Sequence, residues 1–328
     1  MTILLGIILC YLAFLTWYGL KGGFRSESLA QFLTTGGKTG GILCALSLVS
    51  TIVGGSATLG IGGLAQKTGA AAFWWLGVGA IGLLVHGWLI APKIRALPCV
   101  TLPEVAGYVA GKTAERWSGG IIAAAWVAVA AAQFVALHTL LQTLATPVMA
   151  ECLYIMIAGA VLLHTLAGGQ RAVIRTDAVQ TVLLLGGFAA AACWLWHAQP
   201  EKAAALDWRL LNEHFGFLDW IKMLLLVGIT YVIGPDMFSR SFSAESGRTA
   251  RHAAWIAAPI LVLFGAAITF VALMNVDAAQ PVAGWLSENA GLPWWLRAAL
   301  ALGLVSALCG SADTVLLSAC GIAERNLI

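Results

Sequence analysis

The chain has 328 residues, of which 60% are hydrophobic and only 10% charged, with a net charge of +3. A soluble domain carries about a quarter charged residues, so this composition is that of an integral membrane protein. The small positive balance is spread over short loops, which excludes the basic face a nucleic-acid partner requires. The seven cysteines are scattered, without a CxxC or a Cys/His cluster, and read as small apolar residues rather than zinc ligands or a disulfide frame.

A membrane span needs about twenty mainly apolar residues. Nine stretches meet that: approximately 3–20, 41–66, 71–92, 118–145, 150–167, 173–197, 217–240, 253–275 and 295–323. The first has no basic region before it and no small-residue cleavage site after it, so it reads as a retained helix rather than a signal peptide. Two connections are longer than the others. Residues 98–117 have room for a short surface helix, and 198–216 form a mixed-charge loop.

Lys and Arg accumulate in cytoplasmic loops. With the N-terminus outside, the inner side carries Lys21, Arg25, Lys38, Lys93, Arg95, Lys112, Arg116, Arg171, Arg175, Arg240, Arg248, Arg251 and Arg325. The outer side then holds Lys67, Lys202, Arg209, Lys222 and Arg297. Trp74 and Trp75, Trp194 and Trp196, and Trp294 and Trp295 all fall at the outer interface, where amphipathic rings favour the headgroup region. This orientation places the C-terminus in the cytoplasm and the protein in a cell membrane, most simply a bacterial inner membrane.

The second span contains "VSTIVGGSATLG", residues 49–60. Gly is a poor helix former and Ser and Thr compete for backbone hydrogen bonds, so this stretch predicts a break. The seventh span repeats the pattern in "VGITYVIGPDMF", where Pro235 removes a donor and clashes with the preceding turn. An offset of five spans reverses direction through the bilayer. Two interrupted helices so related are the signature of an inverted repeat around a mid-membrane site.

Ionisable residues inside spans are functional candidates by default. Asp177 in the sixth span is expected to pair with Arg171 or Arg175, unless it has a ligand role. Asp236 and Arg240, four apart, are expected to form an intrahelical pair. His86, His138 and His164 read as hydrogen-bonded core residues. Asp313, well inside the ninth span beside Ser311, Thr314 and Ser318, requires a partner. No HExxH, GxSxG, Ser/Lys or paired-Asp arrangement argues for an intramembrane enzyme.

Five fragments carry a resemblance in their order: "FLTTGGKTGGILCALSLVST", "TLPEVAGYVAGK", "GGQRAVIRTDAVQ", "GPDMFSRSFSAES" and "GSADTVLLSACGIAERNLI". Together they resemble the sodium:solute symporter family, which includes the sodium/proline and sodium/sugar carriers. The resemblance implies an all-α integral membrane protein of the leucine-transporter type, with an extra N-terminal helix and inner loop (1–40), a first five-helix repeat (41–197) and a second repeat (217–328). Three of the second repeat's five helices are present, so the resemblance implies a missing C-terminal portion.

The same resemblance implies sodium-coupled symport of a small polar solute by alternating access, in place of enzyme activity. The main sodium site would use the carbonyls of Ser50, Val53 and Ala307 and the hydroxyl of Ser311. A second cation site would combine Asp177, Asp313 and Thr314. Substrate contacts fall on Gly55, Ser56 and Ala57 of the broken span, Gln133 of the fourth and Tyr231 of the seventh, although Gln133 alternatively just bonds a neighbouring helix. The position before Ser311 usually bears a hydroxyl and is Gly310 here, which leaves protons as an alternative coupling ion. An amino acid, a sugar and a carboxylate all remain open as the solute. The alternative to a carrier is a ligand- or ion-binding sensor, or an inactive fragment.

Overall fold

The computed structural model describes residues 2–21, 28–275, 281–287 and 290–328; Arg25 lies outside them. Helix α1 (Thr2–Leu20) is the first predicted span, uninterrupted and apolar. The short α2 (Leu29–Thr34) begins at Ser28, whose hydroxyl accepts the Gln31 N–H at 3.2 Å and so caps the helix.

The second predicted span is two helices. α3 (Gly41–Ile52) ends at Val53 (φ −89°, ψ 69°), and the chain rewinds through a π turn at Ser56–Gly60 into α4 (Ile61–Thr68). The third span runs through α5 (Trp74–Val85), a π turn at His86–Ile90 and α6 (Ala91–Ile94). The connection after it does hold a short helix, α7 (Leu102–Ala110), with Thr101 as N-cap and Pro103 in the first turn. The fourth span is α8 (Lys112–Leu144).

The fifth and sixth spans form one run, α9 (Pro147–Ala198). Its 52 residues would extend about 78 Å as a straight rod, against a hydrocarbon core of about 30 Å. Gly169 (φ 54°, ψ −154°) breaks it in a conformation only glycine adopts readily. The mixed-charge connection after it carries α10 (Pro200–Ala204).

The seventh span is interrupted twice. α11 (Phe217–Met223) passes through a π turn at Leu224–Gly228 into α12 (Ile229–Ile233), and after Gly234 (φ −66°, ψ 145°) α13 (Pro235–Ser243) restarts. Pro235 stands in the first turn of α13, where its missing N–H has no helical partner to lose. α14 (Gly247–Leu273) is the eighth span, the short α15 (Pro281–Leu286) follows, and α16 (Trp294–Asn326) is the ninth.

α16 is the axis of the bundle, packed on α9 and α8, while α14 packs on α3 and α5. Outward, Trp88, Ile121, Val135, Ile155, Leu163, Leu226 and Leu263 are exposed, a band suited to lipid rather than water. Cys10, Cys152, Cys193 and Cys320 share this exposure, and all seven cysteines are free; only Cys44, Cys99 and Cys309 are buried as expected. Six segments are long and apolar enough to cross a membrane by length and composition alone, with Gly6–Leu20 and Gly41–Ile52 as shorter apolar helices. Two of the six, Ser56–Ile94 and Pro147–Ala198, each contain parts of two predicted spans.

The two ends of the bundle differ chemically. At one, Trp194 meets Trp295 edge-on at 6.1 Å, Trp208 stacks on Phe270 at 5.9 Å, and Trp74 donates to the Leu210 carbonyl. At the other, Arg325 pairs with Glu104, and Asn326 joins Thr101 and Glu115 by hydrogen bonds of 3.0 and 2.9 Å.

Candidate functional site

The break in the second span frees backbone groups, and side chains from other helices take them up. The N–H of Gly55 donates to Gln133 Oε1 on α8 at 2.9 Å. Ser311 Oγ on α16 donates toward the carbonyls of Thr51 (3.1 Å) and Ser50 (3.4 Å). Gly54 allows this approach, because a Cβ there would lie 2.4 Å from Ser311 Oγ. Of the residues predicted to bind sodium, Ser50 and Ser311 are therefore in direct contact across the break. Val53 is fully buried at the break, and Ala307, buried to 1% exposure, sits one turn before Ser311 on α16.

The predicted substrate residues are partly assembled. Gly55 and Gln133 are bonded, Ala57 is buried beside them in sequence, and Ser56 is exposed on the π turn. Gln133 thus fills the role of a bond to a neighbouring helix, and does so at the break itself. Tyr231 lies elsewhere: its ring packs on α5, with ring carbons 3.0 Å from where a Gly79 Cβ would stand.

Below the break lies a buried polar cluster. The Arg240 guanidinium on α13 is 1% exposed and donates to Ser47 Oγ (2.9 Å), Thr51 Oγ1 (2.8 Å), Thr314 Oγ1 (2.5 Å) and Asp177 Oδ2 (3.1 Å). Asp177 Oδ2 also accepts from Ser47 Oγ at 2.5 Å. The partner expected for Asp177 was Arg171 or Arg175, and for Arg240 it was Asp236; the packed bundle pairs Asp177 with Arg240 instead. Arg240 is consequently no loop charge, and it drops from the basic residues that the expected orientation counted. Asp236 is held by the Trp126 N–H at 3.0 Å and Ser318 Oγ at 3.1 Å.

Asp313 is fully buried on α16. Its Oδ2 lies 2.8 Å from His164 Nε2, and its Oδ1 accepts from Thr165 Oγ1 at 3.0 Å. His164 is a core residue as expected, yet it faces a carboxylate. Asp177, Asp313 and Thr314 are thus close in the bundle, each already met by Arg240 or His164. His138 is partly exposed and sits 2.7 Å from Glu151 rather than in the core.

The seventh-span break is also closed by a side chain from another helix, with donor and acceptor reversed. His86, 1% exposed on the π turn of the third span, contacts the Val232 carbonyl through Nδ1 at 2.7 Å and Ser241 Oγ through Nε2 at 2.9 Å. A carbonyl only accepts, so Nδ1 carries the hydrogen and Nε2 of the neutral ring accepts from Ser241. Beside this break a small cleft of about 20 Å³ opens between Leu33, Thr101, Gln170, Pro235, Ser239 and Ser318.

Ser47 and Gln180 were not singled out from the sequence. The signal existed: Ser47, Ser50 and Thr51 recur at helical spacing in α3, and Gln180 follows Asp177 by three residues, on the same helix face.

Two comparisons bear on this arrangement. The model of the sodium:solute symporter family matches residues 32–323. No curated protein matches significantly. Among solved structures, that of a Na+-coupled sialic acid symporter, substrate-bound and outward-open with a novel Na+ site, superposes with a TM-score of 0.79 at 14% identity. The alignment covers 99% of this chain and 73% of that one. At such identity the superposition speaks for the fold, an all-helical bundle of the leucine-transporter type. The family match spans nearly all of the chain, including both broken helices and α16, and the chain therefore belongs to the sodium:solute symporter family, as a multi-pass membrane transporter that couples movement of a solute to sodium.

Proposed function

We propose that the coupling sodium binds where the second span is broken, on the carbonyls of Ser50, Val53 and Ala307 and the hydroxyl of Ser311. The observation that carries this reading is the contact of Ser311 Oγ with the α3 terminus at 3.1–3.4 Å. A hard cation prefers several oxygen ligands, and an unwound helix end supplies carbonyls without a helical partner. Sodium arriving there ties α3 to α16, which is the bond an alternating-access carrier must make and release.

The solute in this reading is a small polar organic molecule: an amino acid, a sugar or a carboxylate. It meets Gly55, Ser56 and Ala57, with Gln133 at the break and Tyr231 on the side of the third and seventh spans. Residues 41–197 and 217–328 form the two inverted halves, and residues 1–40 stand outside them. The basic residues and the tryptophan-rich end favour an outer N-terminus and a cytoplasmic C-terminus, in a cell membrane such as a bacterial inner membrane. Arg240 supplies positive charge to Asp177 and His164 Nε2 lies against Asp313, so a second cation on Asp177, Asp313 and Thr314 would have to displace these side chains.

Sodium-driven counterflow in proteoliposomes, with labelled amino acids, sugars and carboxylates, tests the reading. Sodium-dependent accumulation of one class is expected. Saturable binding without accumulation would favour a sensor, and no sodium response at all would overturn the reading.

A further inference from the structure

A cavity of about 240 Å³ lies between the α2–α3 link and α9, bounded by Thr35, Lys38, Thr39, Leu43, Arg171 and Arg175. Lys38 and Arg171 are exposed and Arg175 is half-buried. Among the described residues, none of these three cations forms an ion pair or a hydrogen bond, and no acid lines the cavity. Glu245 comes near the rim, its Oε1 4.0 Å from where a Gly40 Cβ would stand, without pairing with any of the three. Elsewhere Lys112, Arg209, Lys222, Arg240 and Arg325 each meet a carboxylate. Arg171 and Arg175, four apart on one helix face, repel each other, and Lys38 adds a third like charge. A cleft lined by one sign of charge concentrates the opposite ion.

We propose that this cavity binds the phosphate of an anionic phospholipid, held by Lys38, Arg171 and Arg175. Guanidinium forks match phosphate oxygens in pairs, and the ammonium adds a point charge. Basic pockets between membrane helices suit such headgroups. Gly40 precedes α3 without a side-chain cap, so the first N–H groups of that helix add to the positive field. Two observations favour a lipid over a soluble phosphate. Leu43 on the cavity wall is 42% exposed and its neighbour Ile42 69%, which gives an acyl chain an apolar surface beside the charges. The second observation is depth. Exposed Trp17 carries Lys21 over its ring at 4.9 Å, an arrangement suited to the headgroup level. Gly19, between those two residues, packs on α9: a Cβ there would stand 3.4 Å from Thr176 Cγ2 and 3.7 Å from Ala172 Cβ. Arg171 and Arg175 therefore stand at that same level. A lipid so placed bridges α3 to α9, independently of the proposed sodium site, which joins α3 to α16.

The test uses the purified, delipidated full chain in a neutral detergent, with the thermal unfolding midpoint followed as phosphatidylglycerol or phosphatidylcholine is titrated in. Phosphatidylglycerol should raise the midpoint saturably, and phosphatidylcholine should not. The combined variant Lys38→Gln, Arg171→Gln, Arg175→Gln should need at least about tenfold more phosphatidylglycerol for half-saturation. Arg175→Gln alone should shift the curve less and in the same direction, which keeps the measurement readable if the combined variant is unstable. Removing the same charge elsewhere, by Lys93→Gln, Arg116→Gln and Arg248→Gln together, should leave the wild-type curve. Equal responses to the two lipids, or wild-type curves from both cavity variants, would overturn the proposal. So would an equal loss in the control, which would reduce the effect to general surface charge. Inorganic phosphate is titrated in parallel and should not shift the midpoint. A saturable rise with phosphate that the cavity variants lose would overturn the lipid assignment in favour of a soluble anion.

Discussion

The two broken spans are closed by opposite chemistry. At the second span the orphaned group is a donor, the Gly55 N–H, and a neighbouring helix offers an acceptor, Gln133 Oε1. At the seventh the group is an acceptor, the Val232 carbonyl, and a neighbouring helix offers a donor, His86 Nδ1. In hydrocarbon a backbone group without a partner costs several kcal/mol, so a break persists only where protein lines it. The difference lies in what each break leaves over. At the second span the α3 carbonyls of Ser50 and Thr51 share, among the described residues, the Ser311 hydroxyl. The seventh continues into α13, whose buried Arg240 bonds α3, α9 and α16 through Nε and Nη2. The first break keeps backbone acceptors that the proposed sodium would use, and the second sends a resident cation into the bundle.

The largest effect is expected where that resident cation is removed. Arg240→Met leaves Asp177 buried and unpaired, which should cost about 3–5 kcal/mol, read as a lowered thermal unfolding midpoint in detergent. Adding Asp177→Asn should recover most of the loss, and failure to recover it would mean the pair is not the reason.

Next in size are the two closures. His86→Phe orphans the Val232 carbonyl and should cost about 1–3 kcal/mol. Gln133→Leu orphans the Gly55 N–H at a similar cost, also about 1–3 kcal/mol. The contrast sharpens with Gln133→Glu, which keeps an acceptor and should hold stability near wild type; equal damage from Leu and Glu would show that the Gly55 bond is immaterial. The smallest effect belongs outside both breaks. Glu104→Gln weakens a partly exposed pair with Arg325 and should change stability by about 1 kcal/mol or less.

Span positions were readable in the sequence because twenty apolar residues leave few alternatives. The breaks were readable as well: Gly54, Gly55 and Ser56, and Gly234 with Pro235, are residues a continuous helix would avoid. Gly169 likewise falls between the fifth and sixth predicted spans. Pairing was not readable. Asp236 and Arg240 are four apart and suited to each other, yet Arg240 reaches Asp177, 63 residues away, because α13 packs on α3 and presents that face inward. His164 and Asp313 meet across 149 residues for the same reason. Spacing within one helix says which face a residue takes, and only the bundle says what that face meets. Gln180 illustrates the cost: its spacing from Asp177 was visible, but nothing in the sequence pointed to Gly310 opposite, where a Cβ would stand 2.6 Å from Gln180 Oε1.

The central claim is that the spare carbonyls at the second-span break, with Ser311, hold the sodium that drives transport. It is tested most directly by sodium-dependent counterflow of Ser311→Ala beside wild type in proteoliposomes across a wide sodium range. The account predicts that the variant requires at least about tenfold more sodium for half-maximal counterflow, with the solute's own half-saturation unchanged at saturating sodium. An unaltered sodium dependence in Ser311→Ala would contradict it.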